Sequence, residues 1–125
     1  MTGSTRFSIE KTDSFSRSYK KLQKASLQNF PETVACAVEL LLLDPFPPKS
    51  RNEPCPSKAQ LPEEWTFHKL EIWISKGASG QIRLMYLVNK DDLIIKLLWI
   101  YSHEQFVKRP PDADLRSEIL KALSG

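Results

Sequence analysis

From Arg6 to Lys11 the apolar residues Phe7 and Ile9 alternate with polar neighbours, the period-two pattern of a short strand. Behind Asp13, a residue suited to capping a helix, Phe15, Tyr19 and Leu22 recur at helical spacing. Pro31 suits a first helical turn, and Val34, Ala37, Val38, Leu41 and Leu42 then form one apolar stripe, widened by Cys36, Leu40 and Leu43. This second helix is expected to be largely buried, with Cys36 in the core, and Asp44-Pro45 ends it. Residues 45–64 hold six of the nine prolines without periodicity and read either as a surface wrap or as a loop carrying binding residues, with the cations Lys49, Arg51 and Lys58. Aromatic and β-branched residues predict a strand over Trp65–Ser75, a turn over Lys76–Gly80 and a strand over Gln81–Asn89. A further turn over Asn89–Asp92 leads to Leu93–Tyr101, apolar except for Lys96, as befits a central strand covered on both faces. Short turns make these three strands an antiparallel meander. Asp112 or Asp114 caps a last helix carrying Leu115, Ile119, Leu120 and Leu123. The order β-α-α-β-β-β-α predicts an α+β fold. It comprises a small antiparallel sheet, a two-helix hairpin on one face and a C-terminal helix, forming one domain over residues 1–125.

Charge changes this picture at one place. The chain of 125 residues carries a formal net charge of only +3, which permits a nucleic-acid partner without requiring one. Arg17, Lys20, Lys21 and Lys24, however, share the outer side of the first helix, and no acidic residue lies between Ser14 and Pro31. They are either a solvated face or a surface turned towards phosphates. The run from Val34 to Leu43 is far shorter than a membrane span and contains Glu39. No membrane association is expected, and the absence of a charged-then-apolar leader argues against secretion. Two cysteines, Cys36 and Cys55, are too few for a disulfide scaffold and suit a reducing, cytoplasmic setting.

Most catalytic signatures are missing. Four glycines form no phosphate loop, and the scattered pairs of His and Cys form no zinc pattern, so no metal or cofactor is expected. Chemistry would then rest on His, Arg, Lys and Glu at strand ends. His103, just past the last strand, is of the type that exchanges protons near neutral pH. Arg83, inside a strand, needs either a carboxylate such as Glu71 or a phosphate to face. His68 and Lys69 lie on opposite faces of the preceding strand, so only one of them shares a face with Arg83. Phe106 either stacks on a base or plugs the core.

The pattern resembles the RelE/ParE superfamily of toxins from toxin-antitoxin pairs. The resemblance lies in the first helix from Phe15 to Leu22, the ending "LLLDP" of the second, and the Leu61-Pro62 turn before a strand. It lies above all in the strand Ile82-Arg83-Leu84-Met85-Tyr86 and the closing "IYSHEQF", and it spans about residues 6–110. It implies metal-independent cleavage of mRNA on the ribosome, blocked by a cognate antitoxin protein. By this resemblance Arg83 contacts the scissile phosphate, His103 is the general acid, and His68 and Lys69 are basic residues of the site. Phe106 would hold the nucleotide, and Lys58, Lys108, Arg109, Lys20, Lys21 and Lys24 are the candidate RNA-binding cations. The general base stays open among Glu63, Glu64, Glu71 and His68. Two other readings stay open as well: a ParE-like toxin directed at gyrase, and an inactive RNA- or protein-binding relative.

Overall fold

The computed structural model describes residues 6–25, 29–56, 59–74 and 80–124. The elements are β1 (Ser8–Lys11), α1 (Asp13–Lys24), α2 (Phe30–Leu43), β2 (Ser50–Asn52), β3 (Trp65–Trp73), β4 (Gln81–Asn89), β5 (Ile94–Ser102) and α3 (Asp112–Ser124). They build the expected α+β fold around a five-stranded sheet of order β1-β5-β4-β3-β2. The meander β3-β4-β5 is antiparallel throughout. Two features of the sheet differ from expectation. β1 runs parallel to β5, so the sheet is mixed, and the proline-rich loop contributes β2 as an edge strand. The turn expected over residues 76–80 lies mostly outside the described residues.

Alternation along β4 divides the core in two. Ile82, Leu84, Tyr86 and Val88 face α1 and α2, where Phe15, Leu22, Phe30, Val34 and Leu41 meet them. Met85 and Leu87 point the other way, against Leu115 and Ile119 of α3. The helical hairpin and the last helix therefore clamp the sheet from opposite sides. In β5 the pairing is irregular: Met85 opposes Trp99 while Tyr86 opposes Leu97, leaving Leu98 as an extra, bulged residue.

The local signals explain most element ends. Thr12, not Asp13, caps α1: its hydroxyl accepts from the Phe15 N–H at 3.1 Å and donates to the Leu97 carbonyl at 2.8 Å. One side chain thus starts the helix and ties it to β5. Asp13 still contributes, as the acidic residue of the first turn. α2 is less buried than its composition suggests. Leu40 and Leu43 are 61% and 71% exposed, and Cys36 is exposed rather than in the core. The reason is angular: at about 100° per residue, Cys36 sits about 200° round the helix from Val34, which faces the sheet. In α3, Leu115, Ile119 and Ala122 are buried while Leu120 is exposed. Lys96 holds the far end of that helix by donating to the Ala122 carbonyl. Among the described residues no helix is long and apolar enough to cross a membrane.

Candidate functional site

Direct partners across a sheet share a face, so the register itself assembles a site. One row reads Arg51–Lys69–Met85–Trp99 across β2, β3, β4 and β5, and the neighbouring row reads Glu71–Arg83–Tyr101. Lys69 is therefore the residue that shares the face of Arg83. His68 lies in the other row, with Asn52, Tyr86 and Leu97.

The cationic rows form the floor of a cleft of about 690 Å³, and the segment from Val107 to Asp112 closes its side. Glu53, just past β2, is the centre of the charge arrangement. Its buried carboxylate faces Arg51 Nε at 3.5 Å, Lys69 Nζ at 3.6 Å and Arg109 Nη1 at 3.4 Å. Lys69 loses most of its hydration here, and burial pushes its pKa down while Glu53 opposes the shift. Arg83 pairs with Glu71 at 3.8 Å, as one reading of the sequence foresaw, and also donates to the Gln81 carbonyl at 3.4 Å. The Lys108 carbonyl accepts from both Tyr101 Oη at 2.8 Å and Lys69 Nζ at 3.4 Å, which straps the tail beside the cations. Burial, with Glu53 nearby, raises the Tyr101 phenol well above its ordinary value, so this hydroxyl stays protonated.

His103 follows β5 in a turn held by Ser102 and Gln105. Its backbone N–H donates at 2.8 Å to the same Gln81 carbonyl that Arg83 uses, which is what brings the two positions together. The ring does not line the cleft, and its Nδ1 is buried without a hydrogen-bond partner. Phe106 packs edge-on against Trp99 and Tyr101, with ring centroids 6.3 Å and 5.7 Å apart. Lys108 is exposed at the cleft, whereas Arg109 is committed to Glu53, Asp112 and the Pro54 carbonyl. Lys20, Lys21 and Lys24 line a separate groove on the far side of Phe106, and Lys58 lies outside the described residues.

His68 has no place in this cleft. It is 2% exposed on the face of α2, packed between Phe46 and Tyr86, with Nε2 bonded to Thr66 Oγ1 at 2.7 Å. Burial, aided by Lys90, lowers its pKa to about 4, so the ring is a neutral core group at physiological pH. Sequence reasoning missed Glu53, gave Arg51 only as a cation of the proline-rich loop, and missed Tyr101. The first two lie around a three-residue strand among prolines, too short to show alternation. Glu63 and Glu64, offered as possible bases, line a different hollow with Lys90 and Asp91. Among the described residues, no three His, Cys, Asp or Glu side chains come together as a metal site.

This sheet, with helices on both faces, is a RelE-like fold. The structure is similar to archaeal RelE in the RelE-RelB complex from Pyrococcus horikoshii OT3, with TM-score 0.51 and 17% identity. That match covers 78% of this chain and 94% of the other. An Escherichia coli RelE toxin mutant in the free state matches with TM-score 0.49 and 12% identity, over 91% of this chain and 97% of that one. No protein-family model matches the chain, and neither does any curated protein. At these identities the likeness is one of fold.

Proposed function

We propose that this chain is a toxin of a toxin-antitoxin pair, a metal-independent endoribonuclease that cuts mRNA on the ribosome, built as one domain over residues 1–125. The observation that carries the reading is the convergence of Arg83 and Lys69 on one face of a RelE-like sheet, with the Glu53 carboxylate between Lys69, Arg51 and Arg109. RNA cleavage of this kind needs three things. A base takes the 2′-hydroxyl proton, cations hold the charge that grows on the phosphate, and an acid protonates the departing 5′-oxygen. As the 2′-oxygen forms its bond to phosphorus, the bond from phosphorus to the 5′-oxygen breaks, leaving a cyclic phosphate and a free 5′-hydroxyl. Glu53 is the carboxylate placed for the first role. Arg83, Lys69 and Arg51 supply the second, and His103, joined to Arg83 through the Gln81 carbonyl, is assigned the third. Lys108 stands at the cleft for the flanking nucleotide, while Phe106 packs edge-on against Tyr101 and lines the neighbouring groove.

A cognate antitoxin is the expected partner, in keeping with the RelE-RelB complex seen for the archaeal relative. The site of action would then be the cytoplasm. One feature favours the alternative of an inactive relative: Glu53 and the Lys108 carbonyl already occupy cations that a phosphate would need. Primer extension on mRNA with purified ribosomes separates the readings. Arg83→Ala and His103→Ala should each slow cleavage by roughly 10²-fold or more with the fold retained. Full cleavage by both variants rejects the assigned site. Absence of any cleavage by the parent chain rejects nuclease activity, and DNA damage with intact translation would point to gyrase.

A further inference from the structure

Because β1 stops at Lys11, the outer edge of β5 beyond Leu97 has no strand beside it among the described residues. α1 crosses there instead, and the Ser18 hydroxyl accepts from the Ile100 N–H at 3.0 Å. The crossing leaves a groove of about 770 Å³ between α1 and the turn that follows β5. Arg17, Lys20, Lys21 and Lys24 stand along one wall, and the half-buried rings of Trp99 and Phe106 along the other.

The balance of charge distinguishes this groove from the cleft. In the cleft the cations are met by Glu53 and Asp112, whereas no carboxylate lines the groove among the described residues. Arg17 reaches Glu118 at 3.4 Å, but Lys20, Lys21 and Lys24 have no acidic partner among the described residues. Like charges three and four residues apart repel along a helix. Here that cost has no return within the folded chain. Meanwhile two aromatic rings stay partly open beside the lysines, where a solvated helix face needs none.

We infer that the groove binds single-stranded nucleic acid, with phosphates on Lys20, Lys21 and Lys24 and a base stacked against Trp99 and Phe106. An acidic peptide satisfies the lysines but leaves the rings unused. A duplex hides its base faces from the rings, whereas a single strand offers both phosphates and open faces. The groove is separate from the cleft, so the inference stands whether or not the cleft cuts RNA.

Fluorescence anisotropy with a labelled single-stranded 2′-O-methyl hexanucleotide tests this directly, because the probe lacks the 2′-hydroxyl needed for cleavage. Three phosphate contacts predict a slope of log affinity against log salt of roughly −2. The triple change Lys20→Gln, Lys21→Gln, Lys24→Gln, all at exposed positions, should weaken binding roughly tenfold and flatten that slope. Trp99→Leu, or Phe106→Leu if the former does not fold, should weaken binding while keeping the slope. Lys90→Gln, at an exposed position outside both cleft and groove, should bind the hexanucleotide as the parent does, which ties the loss to the groove and not to net charge. Unchanged binding by the lysine triple variant overturns the proposal. So does equal competition by a blunt duplex or by polyglutamate, the latter marking an acidic-protein site instead.

Discussion

His68 offers the sharpest test of how the sheet sorts its residues. In the folded chain its pKa lies at about 4, because the ring is buried between Phe46 and Tyr86 and faces Lys90. In the unfolded chain it returns to the ordinary value of 6.5. Above that value both states are neutral and the full stability is present. As the pH falls below it, the unfolded chain takes up the proton first, so stability is lost until the folded ring also titrates near the lower value. Linkage at about 1.4 kcal/mol per tenfold gives a loss of about 2 kcal/mol between pH 7 and pH 5. Urea denaturation of the parent and of His68→Phe at both pH values measures it, the variant cancelling contributions from carboxylates. The parent should lose about 2 kcal/mol more than the variant over that interval. In the ribosome assay His68→Phe should cleave as the parent does. Identical pH dependence of the two proteins, or an imidazole that titrates near 6.5 in the folded chain, would refute the reasoning.

Three further changes probe contacts on either side of the sheet. Glu53→Ala leaves buried Lys69 without its carboxylate and should cost roughly 3–5 kcal/mol in urea denaturation, whereas the paired change with Lys69→Met should recover much of it. Tyr86→Phe removes the hydroxyl that donates at 2.7 Å to the Pro45 carbonyl and should cost about 1–2 kcal/mol, read from the same transition. Lys96→Met frees the end of α3 from the sheet, so hydrogen exchange should quicken in the last turn of that helix while β4 stays protected.

What the sequence revealed, and what it hid, follows from the range of the forces involved. The strand Gln81–Asn89 and the second helix were legible to within a residue because alternation and helical spacing are local patterns. The parallel pairing of β1 with β5 was not, since it joins residues about 85 positions apart and no local spacing encodes direction. Arg83 was legible as a site residue because a guanidinium among Ile82, Leu84 and Met85 demands a partner. Glu53 was hidden in a proline-rich segment whose strand is three residues long. Neither Lys69 nor His68 could be chosen from the chain itself, because the choice depends on which face receives α3. In β5 every residue but Lys96 is apolar as far as Ile100, so the pattern carries no mark of where alternation breaks.

That break at Leu98 makes the strand an odd-even counter. Before it, Ile95 and Leu97 look towards the helical hairpin; after it, Ile100 does, and Trp99 and Tyr101 move to the side of Arg83. Loss of Leu98 would remove the bulge and leave plain alternation with both aromatic rings still on that side, whereas loss of Ile100 would turn Tyr101 and the turn behind it to the wrong face. Cleft and groove would fail together, although neither lost a charged residue. The chain should therefore tolerate many single substitutions along β5, and loss of the bulged residue, but not loss of a residue beyond it. A codon-deletion scan would show a sharp boundary just past Leu98: deletion of Leu98 itself would be tolerated, whereas deletion of Ile100 or Tyr101 would be inactivating even where the protein still folds.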